Sequence, residues 1–435
     1  MQKQPLYCFK LFQVTTKLTK IMRVPQVNKR KILNDPVYGF ISIPDGLLFD
    51  LIEHPWFQRL RRIKQLGLSH LVYPGALHTR FHHSLGAMYL MKRAILELQS
   101  KGHEISSSEA LASYVAILLH DIGHGPYSHT LEHSIADGVS HEYLSKLLMV
   151  QLNQEFEGKL TEGIRIFDNT YPKAFLHKLV SSQLDMDRLD YLKRDSFFSG
   201  VSEGTVNYER IINMLDVVND NLVVEAKGIY SVEKFIMARR LMYWQVYLHK
   251  TVLVAEHTLM HVLRRAKELR MQGNHLFATP ALDYFLKQKV TKDLFLNDAE
   301  ALRMFTLLDD FDIFTSMKVW TTHPDKVLSL LSRSIVNRRL FKIEMQSEPF
   351  DQEKIEQLRR RVMASWNLTA GEAANFVFSD STSNYLYQLG SDNINILFKD
   401  GRVMDIAEAS DQLNISLLSK PTTKYFLCYP KEVVV

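Results

Sequence analysis

The stretch Leu118-Leu119-His120-Asp121-Ile122-Gly123-His124-Gly125-Pro126-Tyr127-Ser128-His129 sets an imidazole beside a carboxylate and adds further histidines within a short, glycine-broken span. The apolar run from Leu111 to Leu119 stops abruptly at His120 and Asp121. Such a run reads as a buried helix, so the pair lies against a core, where an unpaired carboxylate is costly. A cation is the simplest partner for both side chains at once. Imidazole with carboxylate suits a borderline or hard transition metal.

Three more blocks carry chemistry. Pro74–Gly86 holds His78, Arg80, His82 and His83; Leu184–Tyr191 holds Asp185, Asp187, Arg188 and Asp190, followed by Arg194-Asp195; Gln245–Lys250 holds Tyr247 and His249. In this order the four blocks resemble the deoxynucleoside triphosphate triphosphohydrolase branch of the HD phosphohydrolase superfamily, the branch of the vertebrate SAM-and-HD-domain protein and bacterial dGTPases. The resemblance covers Pro44 to His257.

The resemblance implies His83, His120, Asp121 and Asp187 as metal ligands. Periodicity adds support for Asp187: Val180, Leu184 and Asp187 share a helical stripe, so the carboxylate faces the apolar side. A buried carboxylate needs neutralising. An Arg or Lys partner would do this for a single Asp; the company of His83 and the His120-Asp121 pair turns the reading toward a metal. Two imidazoles and two carboxylates leave open positions on an octahedral ion, as catalysis needs. Iron, manganese, zinc, nickel and magnesium all suit such a set. The resemblance adds a second ion, Mg²⁺, on the substrate phosphates.

By the same resemblance His124, His129 and His141 line the phosphate side of the metal. Pro126 can open a helix, from which His129, Glu132 and His133 project. His129 and Glu132 stand at i, i+3 and can meet. A neighbouring carboxylate raises and orients an imidazole, which a proton donor requires. His129 is therefore expected to protonate the leaving oxygen, held by Glu132, where the family usually has Asp. His141 follows Ser140, a good helix cap, and the positive helix end favours a phosphate there. His133 reads as a surface residue, and His78 and His82 as local scaffolding.

Arg80 stands three residues before His83 and can share its helical face. Arg80, Arg188, Arg239, His249 and Lys250 are the expected phosphate readers, Arg through forked bonds and Lys as a point charge. Arg188 occupies a position where the family commonly has Lys. Gln65 and Asp185 are expected, by resemblance, to grip a 3′-hydroxyl. Leu66 would fill the space of a 2′-hydroxyl, which is penalised when buried without a partner; ordinary core packing explains Leu66 equally well. Tyr191 and Tyr247 would stack near the ribose.

The implied reaction is hydrolysis of a deoxynucleoside triphosphate at the α-phosphorus, giving deoxynucleoside and inorganic triphosphate. Two other readings stay open. One is an HD phosphohydrolase acting on a nucleoside monophosphate or cyclic nucleotide. The other is a nucleotide-sensing or nucleic-acid-binding protein with a relict site, against which the intact ligand set argues. The family often forms dimers and tetramers with nucleotides between subunits, so a homo-oligomer with an allosteric nucleotide site is expected. Lys29, Arg30 and Lys31 could serve such a site, but a solvated terminal run explains them better.

The elements that must position these residues are mainly helical. Apolar spacing of three and four predicts helices over Leu51–Leu66, Ser84–Gln99, Ser108–His120, His141–Phe156, Lys173–Arg194 and Val232–Arg265. Val37–Ile43 reads as a short strand closed by Pro44-Asp45-Gly46, and Asn221–Ile229 as a small strand or hairpin with Lys227-Gly228 in the turn. Beyond Pro324, Leu340–Glu344, Phe376–Phe378, Asn395–Phe398 and Tyr425–Tyr429 read as strands, with a charged helix over Lys354–Met363. The fold class expected is mainly α: a helical HD-domain core over 36–325 and a smaller C-terminal α+β lobe over 326–435. Residues 1–35 form a flexible basic segment. Met1–Met22 carries Lys3, Lys10, Lys17 and Lys20 and reads as a loose tail, or as an upstream start with Met22 the true one.

The 435 residues suffice for a large core. A formal charge of +5 is compatible with a polyanionic substrate but does not argue for a nucleic-acid binder. Cys8 and Cys428 are too few and too distant for a disulfide framework, which favours a reducing, cytoplasmic setting. No apolar stretch approaches a membrane span.

Overall fold

The computed structural model describes residues 31–127, 134, 138–384, 387, 390, 392–412 and 422–433. The protein is mainly helical, with small sheets toward its C-terminal end. At its centre the 21-residue helix Arg80–Ser100 packs against Ser107–Leu119 on one side and Met186–Ser199 on the other. Leu90, Met91, Ala94, Val115, Leu118, Leu189 and Leu192 are buried where these helices meet. Each of the Leu, Met and Val side chains contributes roughly 1.5–3 kcal/mol on leaving water. The helix Lys250–Met271 forms a second layer and packs against Lys326–Val336.

Strands β1 (Ile32–Asp35) and β2 (Gly39–Ser42) make an antiparallel hairpin at the N-terminal end. β3 (Leu215–Val218) and β4 (Asn221–Glu225) make another. Its turn is Asn219-Asp220, both at positive φ, and not Lys227-Gly228, which lies in a 3-10 turn after the strand. β7 (Asn395–Leu397) adds to β4 in parallel, Val224 opposite Ile396, and β8 (Val403–Asp405) adds to β7. A separate antiparallel sheet runs in the order β5 (Lys342–Gln346), β9 (Thr422–Tyr429), β6 (Phe378–Asn384), with Cys428 between Ile343 and Phe378.

Three expected helices are interrupted, each for a local reason. Leu51–Leu66 is resolved into Gly46–Glu53, Pro55–Gln58 and a 3-10 turn Arg59–Arg62. Pro55 forces His54 into an extended conformation (φ −64°, ψ 137°). Lys173–Arg194 is two helices, Ala174–Val180 and Met186–Ser199, because Asp185 turns its carboxylate onto the Arg188 amide as an N-cap. Val232–Arg265 divides into Ile229–Met242, a π-turn Tyr243–Tyr247 and Lys250–Met271, with the His249 side chain capping the last. π-turns of this kind recur at functional sites. Among the described residues no helix is long and apolar enough to cross a membrane.

Candidate metal centre

Three elements deliver the ligands. Thr79 caps the Arg80–Ser100 helix, and its amide donates to Nδ1 of His82 at 3.2 Å, so His82 is local scaffolding as expected. His83, one position on, points into the core. The apolar helix Ser107–Leu119 ends at His120, and the chain turns sharply through Asp121-Ile122-Gly123-His124. Gly123 permits that turn: a Cβ there would stand 2.2 Å from the Ser145 amide nitrogen and 2.4 Å from the His141 carbonyl oxygen. Asp187 lies in the first turn of Met186–Ser199.

His83 Nε2 is 3.4 Å from His120 Nε2 and 3.0 Å from Asp187 Oδ1, and His120 Nε2 is 3.5 Å from the same oxygen. Side-chain exposure climbs from 0% at His83 through 10% at His120 to 29% at Asp187, so the cluster has a closed floor and an open mouth. The tautomers are fixed from behind. His83 Nδ1 pairs with Asp190 Oδ2 at 2.8 Å and His120 Nδ1 with the Ile117 carbonyl at 2.6 Å. Both Nε2 lone pairs therefore face each other and a carboxylate, the arrangement a divalent cation requires.

Electrostatics agree with that fit. Burial opposes charge on His83, yet Asp187 and Asp190 push its imidazole up to about 10. Burial likewise opposes charge on His120, but Asp121 and Asp187 raise it. Asp187 is held well below the usual carboxylate range by hydrogen bonds from His120 and His83, against its own burial. The pocket demands positive charge, and a cation meets the demand without a proton.

Asp121 stands beside this trio. Its Oδ1 is 3.3 Å from His120 Nε2 and 3.2 Å from His124 Nε2, and its Oδ2 is 3.7 Å from His83 Nε2. Oδ2 also accepts from Arg80 Nη1 at 2.5 Å. Arg80 thus lies on the His83 face of its helix, as the spacing implied, but serves Asp121. His124 is buried, its Nδ1 has no hydrogen-bond partner among the described residues, and its ring stacks on His141 at 3.8 Å and 16°. Burial and the Arg80 charge hold His124 well below the ordinary imidazole range. His141 opens the helix capped by Ser140. His129, Glu132 and His133 lie outside the described residues.

A second connected set borders the trio. The Gln65 amide donates to the His78 carbonyl at 3.0 Å. His78 Nε2 pairs with Asp195 Oδ1 at 2.7 Å, and Tyr247 donates to Asp195 Oδ2 at 2.8 Å. Tyr247 meets Tyr191 edge-on at 6.1 Å. Gln65 Oε1 is buried with no donor among the described residues. Half-buried Leu66 packs against the core next to it. Asp185 does not join this set: it caps its helix and receives the Ser182 amide and Arg188 Nε. Burial pushes its carboxyl up to about 6.

Of the remaining cations, Arg188 Nε donates to the Ser182 carbonyl at 2.5 Å, and the Arg239 guanidinium stands 5.9 Å from the Tyr243 ring centroid. His249 Nδ1 accepts the Thr251 amide as a cap, and Lys250 is exposed.

Sequence reasoning missed four residues here. Asp190 and Arg194 follow Asp187 at helical spacing, a signal that was readable. Asp195 was quoted without a role. Arg59 is fully buried, donating to the Ile122 and His124 carbonyls at 2.8 and 2.9 Å and to the Leu308 carbonyl at 3.0 Å. Its one trace in the sequence is a charge set between Phe57 and Leu60. Burial lowers its guanidinium to about 9.

Two family models match, the HD domain over residues 80–190 and an HD-associated region over 206–279. An uncharacterized Bacillus subtilis protein, YwfO, is 31% identical over 425 residues, covering 94% of each chain. The chain belongs to the HD-domain family. A solved structure of a phosphohydrolase from Bacteroides thetaiotaomicron is similar at 57% identity with a TM-score of 0.90, covering 92% of this chain and 100% of that one. Human deoxynucleoside triphosphate triphosphohydrolase SAMHD1 is 28% identical over 394 residues, covering 78% of this chain and 59% of its own length.

Proposed function

We propose that this HD-family chain hydrolyses deoxynucleoside triphosphates at the α-phosphorus to deoxynucleoside and inorganic triphosphate. The observation that carries the reading is the convergence of His83, His120 and Asp187 beside a tyrosine-lined wall, in a relative of proteins named for that reaction. A divalent cation held by these residues with Asp121 (iron, manganese, zinc or nickel), together with Mg²⁺ on the phosphates, supplies Lewis-acid polarisation of the phosphoryl group.

The chain's own residues do the rest. Asp190 and the Ile117 carbonyl hold the two imidazoles in the liganding tautomer. Neutral His124, stacked on His141, faces the phosphates with a ring nitrogen that has no partner among the described residues. His129 moves a proton to the departing 5′-oxygen, oriented by Glu132. Arg188, Arg239 and Lys250 offset the polyphosphate charge, and His249 offers the phosphates its remaining ring nitrogen. Gln65 Oε1, a buried acceptor without a donor among the described residues, accepts a hydrogen bond from the 3′-hydroxyl. Leu66 excludes a 2′-hydroxyl, Tyr191 and Tyr247 flank the sugar, and Asp185 fixes Arg188. The active form is a dimer or tetramer that can take an allosteric nucleotide.

One observation favours the second reading, a shorter phosphoester. Arg80 is engaged with Asp121 and His249 with a helix cap, which thins the cationic track. A screen of deoxynucleoside triphosphates, ribonucleotides, monophosphates and cyclic nucleotides against metal-loaded protein separates the two. The proposal expects turnover of the deoxynucleoside triphosphates, and exclusive turnover of monophosphates or cyclic nucleotides refutes it.

A further inference from the structure

The His83 ring is the near end of a longer buried chain of charge. Its Nδ1 meets Asp190 Oδ2, and Asp190 takes Arg194 through both oxygens, at 2.9 Å from Nε and 3.0 Å from Nη2. The remaining arm of Arg194, Nη1, reaches Asp35 Oδ2 at 2.7 Å. Asp35 is the last residue of β1, so the chain leaves the helical core and ends in the N-terminal hairpin. His83, Asp190 and Arg194 side chains are 0% exposed and Asp35 4%.

Two further observations show a built passage. Gly86 stands one turn beyond His83 on the same helix, where a Cβ would fall 2.0 Å from Asp190 Oδ1 and 2.2 Å from Arg194 Nη2. Only glycine lets the fork lie there. On the hairpin side, Asp35 Oδ1 accepts the Val37 and Tyr38 amides, each at 2.9 Å, and Tyr38 stacks on Tyr89 of the central helix at 5.0 Å. The two Asp35 oxygens thus have separate duties, one holding the turn and one holding Arg194.

We propose that Asp35 is a positioning residue for the metal centre, coupling the N-terminal hairpin to His83 through Arg194 and Asp190. The inference rests on the reading of His83 as a metal ligand. Two carboxylates and one guanidinium leave one net negative charge in the buried chain, which complements a cation on the far side of the imidazole. Removing the Asp35 charge concentrates Arg194 on Asp190 and draws that carboxylate away from Nδ1. The ring then donates less and is oriented less firmly, as when any partner behind a liganding histidine is lost. Anything that lifts the hairpin loosens the cation by the same route.

Asp35→Asn tests this, because the amide oxygen can keep the turn while the NH₂ group faces Arg194. Mn²⁺ is titrated calorimetrically into metal-free full-length protein, with circular dichroism confirming the fold. The expected result is Mn²⁺ binding weakened about tenfold or more, and likewise in Asp190→Asn. Should Asp35→Asn not fold, Arg194→Lys, which cannot span both carboxylates, carries the same expectation. Asp35→Asn or Arg194→Lys binding within twofold of the unmodified chain, while Asp190→Asn is weakened, overturns the coupling and leaves the metal centre standing. His83→Ala binding Mn²⁺ as the unmodified chain does overturns the metal reading itself, and the coupling with it.

Discussion

Arg80 donates to Asp121 across 2.5 Å inside the core, so the carboxylate next to His120 already has a cationic partner when no metal is considered. Asp121 sits well below the usual carboxylate range, against its own burial, through the charges of His120 and Arg80. Arg80 therefore shapes the site from inside, by holding Asp121.

That pairing predicts a metal-dependent stability loss. Arg80→Met leaves a buried carboxylate uncompensated, at a cost of about 3–5 kcal/mol. A bound cation replaces part of the missing charge. Melting temperatures in EDTA and in Mn²⁺ should show a larger loss in EDTA. An equal loss in both would mean that Asp121 does not sense the cation.

His120→Ala and Asp187→Asn should each lower metal content and hydrolysis together, because removing one of a small number of mixed donors leaves a weakly held ion. Elemental analysis after purification checks this. Full occupancy in both variants contradicts the ligand assignment.

Arg59 pins the turn that carries His124 to the chain at Leu308. Arg59→Leu fills the space but strands the carbonyls of Ile122, His124 and Leu308, each unsatisfied group costing about 1–3 kcal/mol. The variant should melt well below the unmodified protein and lose turnover. Unchanged melting would show that water replaces the guanidinium without cost.

Much of this centre was legible because its residues are chemically loud. Histidine and aspartate at the end of an apolar run, repeated in blocks, carry a signal that no packing requirement imitates. What stayed hidden was the consequence of local hydrogen bonding. Asp185 reads as one more carboxylate on an amphipathic stripe, yet its N-cap divides Lys173–Arg194, whereas Asp195 ten positions on holds His78 and Tyr247. The break at Tyr243–Tyr247 contains no glycine or proline, so periodicity runs through it unmarked. The strands of the C-terminal part were readable as apolar alternation, but the parallel pairing of β4 with β7 joins positions 223 and 395, a distance no local pattern encodes.

His261 supplies a pH dependence remote from the metal. Burial pushes its imidazole down from 6.5 to about 4, the Asn375 contact opposing, while its ring packs on Phe378 at 4.5 Å. Below about pH 6.5 the unfolded chain takes up a proton that the folded one refuses. Its contribution is therefore full above that pH and is lost as pH falls toward 4, by about 1–3 kcal/mol in all. The melting-temperature advantage of the unmodified protein over His261→Gln should shrink between pH 7.5 and pH 5. A constant gap would mean that His261 titrates normally.

Cleavage position tests the central claim most directly. Metal-loaded protein is incubated with dGTP and with GTP, and the inorganic products are resolved by anion chromatography. Attack at the α-phosphorus yields inorganic triphosphate from dGTP. A ribonucleotide should be cleaved at least about tenfold more slowly, since its extra hydroxyl meets Leu66 without a partner. Orthophosphate or pyrophosphate as the primary product, or equal cleavage of GTP and dGTP, would contradict the account.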